Sequence, residues 1–242
     1  MIILRFLGVI FLTVYYGVRV YIYMRIQGNK SVFTVQAMDW AKKLLSICGV
    51  TLTVNNIYNT NLENDFVIVP NHTSLLDIPV LIATIPNIRI MYKRDLEKVP
   101  IFGWIMKNSP YIAIDREDPK KALITLQQTI ESMKEGSSVV VFPEGTRAAG
   151  EALGEFKRGA FYLAIKAQKP ILPVSIVGTH KVLPNSSIQI RPNPVTLNIS
   201  KSIEINDSIT KTEEKNLISE VHSIISNLMT YDATTFELDT SS

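Results

Sequence analysis

Hydrophobic and polar positions follow two different patterns along this chain. Residues 1–50 carry long apolar stretches at helical spacing, whereas after Gly49 short β-branched runs alternate with helical ones. In the first region, thirteen residues from Phe6 to Val18 bear no charge, and nineteen lie between Phe6 and Met24 if Arg19 is tolerated. As helix the longer stretch is about 28 Å against an about 30 Å hydrocarbon core. Gly28-Asn29-Lys30 is a turn signal, and Ser31 is placed to cap a second helix. There Phe33, Ala37, Trp40, Ala41, Leu44 and Cys48 form an apolar stripe opposite Asp39, Lys42, Lys43 and Ser46. Residues 1–50 therefore read as a membrane-associated helical hairpin that dips into one leaflet, with Arg5, Arg19 and Arg25 snorkelling to headgroups. The competing reading is a helix pair packed on the protein's own core, the usual fate of an apolar stripe. A cleaved signal peptide is disfavoured, because residues 16–27 offer no small-x-small cleavage site.

The rest of the chain predicts strands over Thr51–Val54, Phe66–Val69, Arg89–Tyr92, Tyr111–Ile114, Ser138–Phe142, Ile171–Val177 and Val195–Ser200. Helices are expected over Leu75–Ala83, Pro119–Lys134 and Gly159–Lys166, with Gly136 just past the end of the middle one. A run that is apolar throughout, such as Val139 to Phe142, belongs in a sheet covered on both faces. The expected fold is α/β: a mixed, largely parallel sheet flanked by helices over residues 51–231, preceded by the hairpin and followed by a flexible acidic tail over 232–242.

Composition sharpens this picture. With 46% hydrophobic and 19% charged residues and a mean hydropathy of +0.16, the chain is somewhat apolar for one that meets only water. Residues 1–50 hold six cations against the single acid Asp39, a net +5, while the whole chain carries +3 and the remainder therefore −2. Cations flanking apolar helices suit an anionic membrane surface. A nucleic-acid partner is not expected, since no RNA-binding signature or helix-turn-helix spacing accompanies the charge. Cys48 is the only cysteine, which leaves no disulfide framework and no cysteine-based metal site; no metal is expected.

Candidate chemistry lies in two segments. In Asn71-His72-Thr73-Ser74-Leu75-Leu76-Asp77, a continuous helix would set His72 and Asp77 about 140° apart, so the two need a break between them. The strand ending at Pro70-Asn71 supplies it, with Thr73 or Ser74 capping a helix from Leu75. His72 then sits at the sheet edge, and Asp77 reaches back to one ring nitrogen, leaving the other to take a proton. Ser74-x-x-Asp77 equally fits a capping box, which would make Asp77 a helix-start residue and His72 a loop histidine. The second segment, Phe142-Pro143-Glu144-Gly145-Thr146-Arg147, follows a buried strand at the edge where open α/β sheets bind ligands. Arg147 offers a fork suited to phosphate, and Gly145 permits close backbone approach.

These blocks, taken with Lys93-x-Asp95-Leu96-x3-Pro100-x-Phe102-Gly103, Ile114-Asp115-Arg116, Phe156-Lys157-Arg158-Gly159 and Leu172-Pro173-Val174, resemble the glycerophospholipid acyltransferases, and within them the bacterial 1-acylglycerol-3-phosphate acyltransferases of the PlsC type. The likeness runs in order from about residue 66 to 178. It implies transfer of a fatty acyl group from acyl-CoA or acyl carrier protein to the sn-2 hydroxyl of lysophosphatidic acid, giving phosphatidic acid, without a bound cofactor. His72 would act as base and Asp77 as its orienter. Lys93 and Arg147 would hold the acceptor's phosphate, with Arg116, Glu144, Gly145 and Thr146 in the acceptor-binding blocks. The implied location is the cytoplasmic face of the cell membrane, with membrane lipids and the acyl donor as partners. Two positions depart from the common pattern: Asp95 stands where glutamate is usual, and Ser109-Pro110 where glycine is frequent.

Other readings are an acyltransferase for another lysophospholipid or for glycerol 3-phosphate, and a non-catalytic membrane-binding protein of the same fold. A serine hydrolase lacks its Gly-x-Ser-x-Gly elbow here, and a P-loop enzyme its Gly-x4-Gly-Lys-Ser/Thr.

Overall fold

The seven strands form one sheet in the order β1-β7-β6-β2-β5-β3-β4. They are β1 (Val50–Asn56), β2 (Val67–Pro70), β3 (Ile88–Lys93), β4 (Ile112–Ile114), β5 (Ser138–Val140), β6 (Ile171–Val177) and β7 (Asn193–Ile199), each within two residues of its predicted bounds. The computed structural model describes residues 2–27, 31–99, 102–134, 136–148, 150, 152–185, 187–206 and 209–231. The turn expected at Gly28-Asn29-Lys30 and the acidic tail expected over 232–242 lie outside the described residues.

All pairings are parallel except β6 with β7, so the sheet is mixed and largely parallel. Parallel neighbours need crossovers, and these are helices: α3 (Asp77–Thr84) between β2 and β3, α5 (Pro119–Met133) between β4 and β5, and α6 (Gly159–Ala167) between β5 and β6. Both faces of the sheet are thereby covered, which explains strands without alternation. Ile68 and Val140 face one core, with α3 and the second N-terminal helix. Their neighbours Val67, Val69, Val139 and Val141 face the other, with α5, α6 and the C-terminal helix. Each fully buried side chain of this kind, such as Phe66, Ile68 or Phe161, contributes about 1.5–3 kcal/mol.

The structure adds elements that the hydropathy pattern does not predict: a 3-10 turn over Arg94–Lys98, α4 (Phe102–Lys107), α7 (Thr179–Val182) and α8 (Lys211–Met229). In α8, Leu217, Val221, Ile225 and Leu228 are buried at helical spacing, and Thr210 with Glu213 forms a capping box at its start. Arg158, at the N-terminus of α6, pairs with the buried carboxylate of Glu214 through both Nε and Nη2, the latter at 2.7 Å, and so ties α8 to α6. Buried Asn198 of β7 bridges further, donating to the Leu228 carbonyl at 2.7 Å and accepting from Asn55 at 2.8 Å.

The two N-terminal helices are α1 (Ile2–Gln27) and α2 (Ser31–Cys48). The predicted stripe of α2 packs on the body: Phe33, Ala41, Leu44 and Cys48 are buried, and Ala37 and Trp40 lie partly buried against the same core. Part of its polar side meets α1 rather than solvent. Asp39 accepts from the Tyr16 hydroxyl, Lys43 Nζ donates to both at 2.7 and 2.9 Å, and Trp40 Nε1 donates to Thr13 at 3.2 Å. Most of the large apolar side chains that the two helices leave exposed therefore belong to α1, where Leu4 and Phe11 are each 73% exposed. Leu4–Tyr23 is long and apolar enough to cross a membrane.

Candidate active site

β2 ends at Pro70, and the Asn71 side chain then behaves as one further strand residue. It donates to the Ile176 carbonyl at 3.0 Å and accepts from the Ile176 amide at 2.7 Å. His72 leaves the sheet at this point. Helix α3 begins at Asp77, two residues later than the pattern predicts, and the residue before it offers no side-chain cap. Asp77 reaches back from the first turn, and its Oδ2 accepts the backbone amides of Thr73 and Ser74 at 2.7 and 2.8 Å. The same oxygen accepts from His72 Nδ1 at 2.8 Å. One fully buried carboxylate thus makes both the bond to the Ser74 amide that a capping box asks of its acid and the bond to the histidine, while the Ser74 hydroxyl accepts from Leu76 and not from Asp77.

Asp77 Oδ1 accepts from the Thr179 hydroxyl, a contact that sequence spacing did not indicate. Thr179 follows Gly178 at the end of β6, and Gly178 has φ +96°. A Cβ there would lie 2.4 Å from the Pro194 carbonyl oxygen, so glycine is required for Thr179 to reach Asp77.

The Glu144 loop closes over the histidine. The His72 ring stacks on Phe142, with centroids 3.9 Å apart and planes inclined by 25°. Glu144 accepts from the His72 backbone amide at 2.7 Å and from the Gly154 amide at 2.9 Å, and the Ala148 amide donates to the His72 carbonyl at 2.8 Å. Burial pushes the Glu144 carboxyl above its ordinary pKa, against the pull of those two amides. Glu144 therefore joins the two loops and faces backbone. Gly145 turns the chain at φ +73°, and Arg116, just beyond β4, donates to its carbonyl.

Lys93 lies one strand further out. Its ammonium is paired with Glu117 at 2.7 Å and Asp95 at 2.9 Å. Asp95 is held down to about 2 by hydrogen bonds from Lys98 and Lys93. Among the described residues no direct contact joins Lys93 to His72; the link runs through the Lys93–Ile114 register to Arg116 and Gly145. Thr146 and Arg147 are exposed on the loop and have no hydrogen-bond partner among the described residues. His72 and Asp77 with Glu144 and Gly145 thus form one cluster, joined at its rim by Arg116; Lys93 stands apart.

An apolar cavity of about 250 Å³ lies beneath α1 and α2, walled by Gly17, Trp40, Ile78, Ile90 and Ile105 among others. Leu75, of the segment between His72 and Asp77, lines it as well. No group of metal-binding side chains occurs among the described residues.

The arrangement sets an imidazole on a buried carboxylate, with Arg116 and Arg147 on the neighbouring loops, at the carboxyl edge of a largely parallel sheet, and an apolar chamber under the N-terminal helices. Comparison with known proteins places it. A family model described as Acyltransferase matches residues 51–177. A chloroplastic protein of Brassica napus named 1-acyl-sn-glycerol-3-phosphate acyltransferase is 37% identical over 121 residues, covering 50% of this chain and 35% of that one. Proteins of the same name from Pseudomonas aeruginosa and Helicobacter pylori are 37% and 35% identical, covering 53% and 60% of this chain and 50% and 60% of theirs. The match thus spans less than two thirds of each relative. The crystal structure of the 1-acyl-sn-glycerophosphate acyltransferase PlsC from Thermotoga maritima has the same fold, with a TM-score of 0.78 over 95% of both chains at 24% identity. Since the family model covers the His72/Asp77 segment, the Glu144 loop and the strands that carry them, the chain belongs to the Acyltransferase family.

Proposed function

We propose that this protein transfers a fatty acyl group from acyl-CoA or acyl carrier protein to the sn-2 hydroxyl of lysophosphatidic acid, giving phosphatidic acid. The observation that carries the reading is the 2.8 Å hydrogen bond from His72 Nδ1 to a buried Asp77 carboxylate that three further donors hold in place. Asp77 fixes the proton on Nδ1, so Nε2 is the nitrogen that takes a proton. In the reaction, Nε2 removes the proton of the sn-2 hydroxyl as its oxygen attacks the thioester carbonyl. The carbon–oxygen bond forms, the carbon–sulfur bond breaks, and the departing thiolate recovers the proton from the imidazolium. No acyl-enzyme is required. Cys48 is buried in α2 and its thiol is pushed up to about 11, which unsuits it as a nucleophile.

The acyl chain lies in the apolar cavity, which Leu75 helps to line. The acceptor's phosphate meets the cations of the Glu144 loop and its rim, Arg147 and Arg116, with Lys93 beyond. The hairpin over residues 1–50 seats the protein on the cytoplasmic face of the membrane through the exposed face of α1, and the α/β domain over 51–231 presents its sheet edge to lipid. No bound cofactor or metal takes part.

The test is acyl transfer to lysophosphatidic acid in mixed micelles, with acyl-CoA and acyl carrier protein donors in parallel. Phosphatidic acid formation that falls by about 10² or more in folded His72→Ala supports both the reaction and the base. No product from either donor, or undiminished turnover in the variant, refutes the reading. Flotation with vesicles tests the anchor: membrane binding that survives deletion of residues 1–26 would remove that role from α1.

A further inference from the structure

Charge around the Glu144 loop is unevenly compensated. Lys93 already has two carboxylates, Glu117 and Asp95, at 2.7 and 2.9 Å. Arg116 uses one nitrogen on the Gly145 carbonyl. Lys157, in the block after this loop, is exposed and has no acidic partner among the described residues. Its position is nonetheless defined. The Lys157 amide donates to the Pro143 carbonyl at 2.8 Å, which fixes its main chain to the loop that Glu144 ties to His72. Its side chain lies along Gly145: a Cβ there would be 2.9 Å from Lys157 Nζ and 3.2 and 3.3 Å from its Cδ and Cε. The ammonium therefore rests against the turn that leads to Arg147.

A phosphomonoester carries about −1.5 to −2 charge at neutral pH and offers three acceptor oxygens, so Arg147, beside an Arg116 engaged at Gly145 and a Lys93 neutralised by two carboxylates, leaves it under-compensated. We infer that Lys157 is a phosphate-binding residue that completes, with Arg147, the clamp on the phosphomonoester of the lipid acceptor. The inference rests on the acceptor proposed above. An ammonium is a point charge without fork geometry, so it complements the planar Arg147 and does not duplicate it. Gly145 keeps this side of the turn free of a side chain, which lets the ammonium swing from the backbone to an incoming phosphate.

The experiment compares wild type, Lys157→Gln and Lys157→Arg by steady-state kinetics with lysophosphatidic acid, acyl-CoA and an acyl carrier protein donor, alongside the melting temperature of each. The expected result is a KM for lysophosphatidic acid raised about tenfold in Lys157→Gln, with kcat within about twofold, unchanged KM for both donors, recovery in Lys157→Arg and equal melting temperatures. An unchanged acceptor KM beside an active wild type overturns the inference alone. A raised KM confined to acyl-CoA overturns it too and assigns Lys157 to the donor's phosphates. Wild-type protein that makes no phosphatidic acid overturns the acceptor reading and this inference together.

Discussion

The Thr179 hydroxyl donates to the one carboxylate oxygen of Asp77 that His72 does not use. Asp77 is thus held on both sides, by Thr179, the first residue of α7, and by the segment before its own helix through Thr73 and Ser74. The carboxylate cannot rotate away from the histidine without losing bonds elsewhere.

Two substitutions separate holding from orienting. Asp77→Asn places an amide where three N–H groups and a hydroxyl converge, which upsets the histidine tautomer as well as the helix start. The expected loss in kcat is on the order of 10³–10⁴, with some loss of stability. Thr179→Val keeps the size and removes only the hydroxyl, so kcat should fall about tenfold while the fold survives. Acyl-transfer rates read with urea midpoints check both.

Glu144 gives a pH signature. Its folded pKa is raised by burial, whereas the unfolded side chain titrates near about 4.3. Between those values the native state binds more protons than the unfolded one, so stability falls as pH rises through the folded pKa. The stabilisation from protonated Glu144 is complete below about pH 4.3 and is lost above the raised value. Urea midpoints of wild type minus Glu144→Gln, followed from pH 4 upward, should therefore decline across that interval and then level off.

Cys48 serves as an internal reporter. It is fully buried between α2 and the body, and its thiol is pushed up to about 11 by that burial. Native protein should resist alkylation at pH 7.5, and urea should make it react at once. Labelling at native rates comparable to a free thiol would mean that α2 leaves the body.

With the acyl chain placed in the cavity as proposed, cavity size sets the acyl limit. Gly17 faces Ile105 so closely that a Cβ would lie 2.3 Å from Ile105 Cδ1, and both line the chamber. Gly17→Ala should push Ile105 inward and lower kcat/KM for the longest acyl donors about tenfold relative to shorter ones. Competition between donors of two chain lengths measures the ratio.

The strands were legible because a doubly covered parallel sheet demands apolar runs, and runs such as Val139-Val140-Val141-Phe142 have no other soluble home. His72, Asp77 and the Glu144 loop were legible because each follows such a run. Helix α8 was less so: its Leu217, Val221, Ile225 and Leu228 are spaced among many polar residues, and only a window centred on them shows the stripe. Asp77's partner Thr179 was invisible, since a threonine 102 positions away in sequence carries no spacing signal. Lys93 illustrates the converse. Its place in a motif was clear, but its two carboxylate partners depend on how β3 and β4 lie together.

Asn71, the first residue of the Asn-His-x4-Asp segment, faces the backbone of Ile176. Donor and acceptor on one short side chain let it imitate a peptide group, which aspartate and leucine cannot do. The strand's last rung is therefore drawn by a side chain while the main chain has already turned. Grafting a His-x4-Asp pair onto another sheet without this asparagine would transplant the reagents and leave behind the hinge pin that aims them.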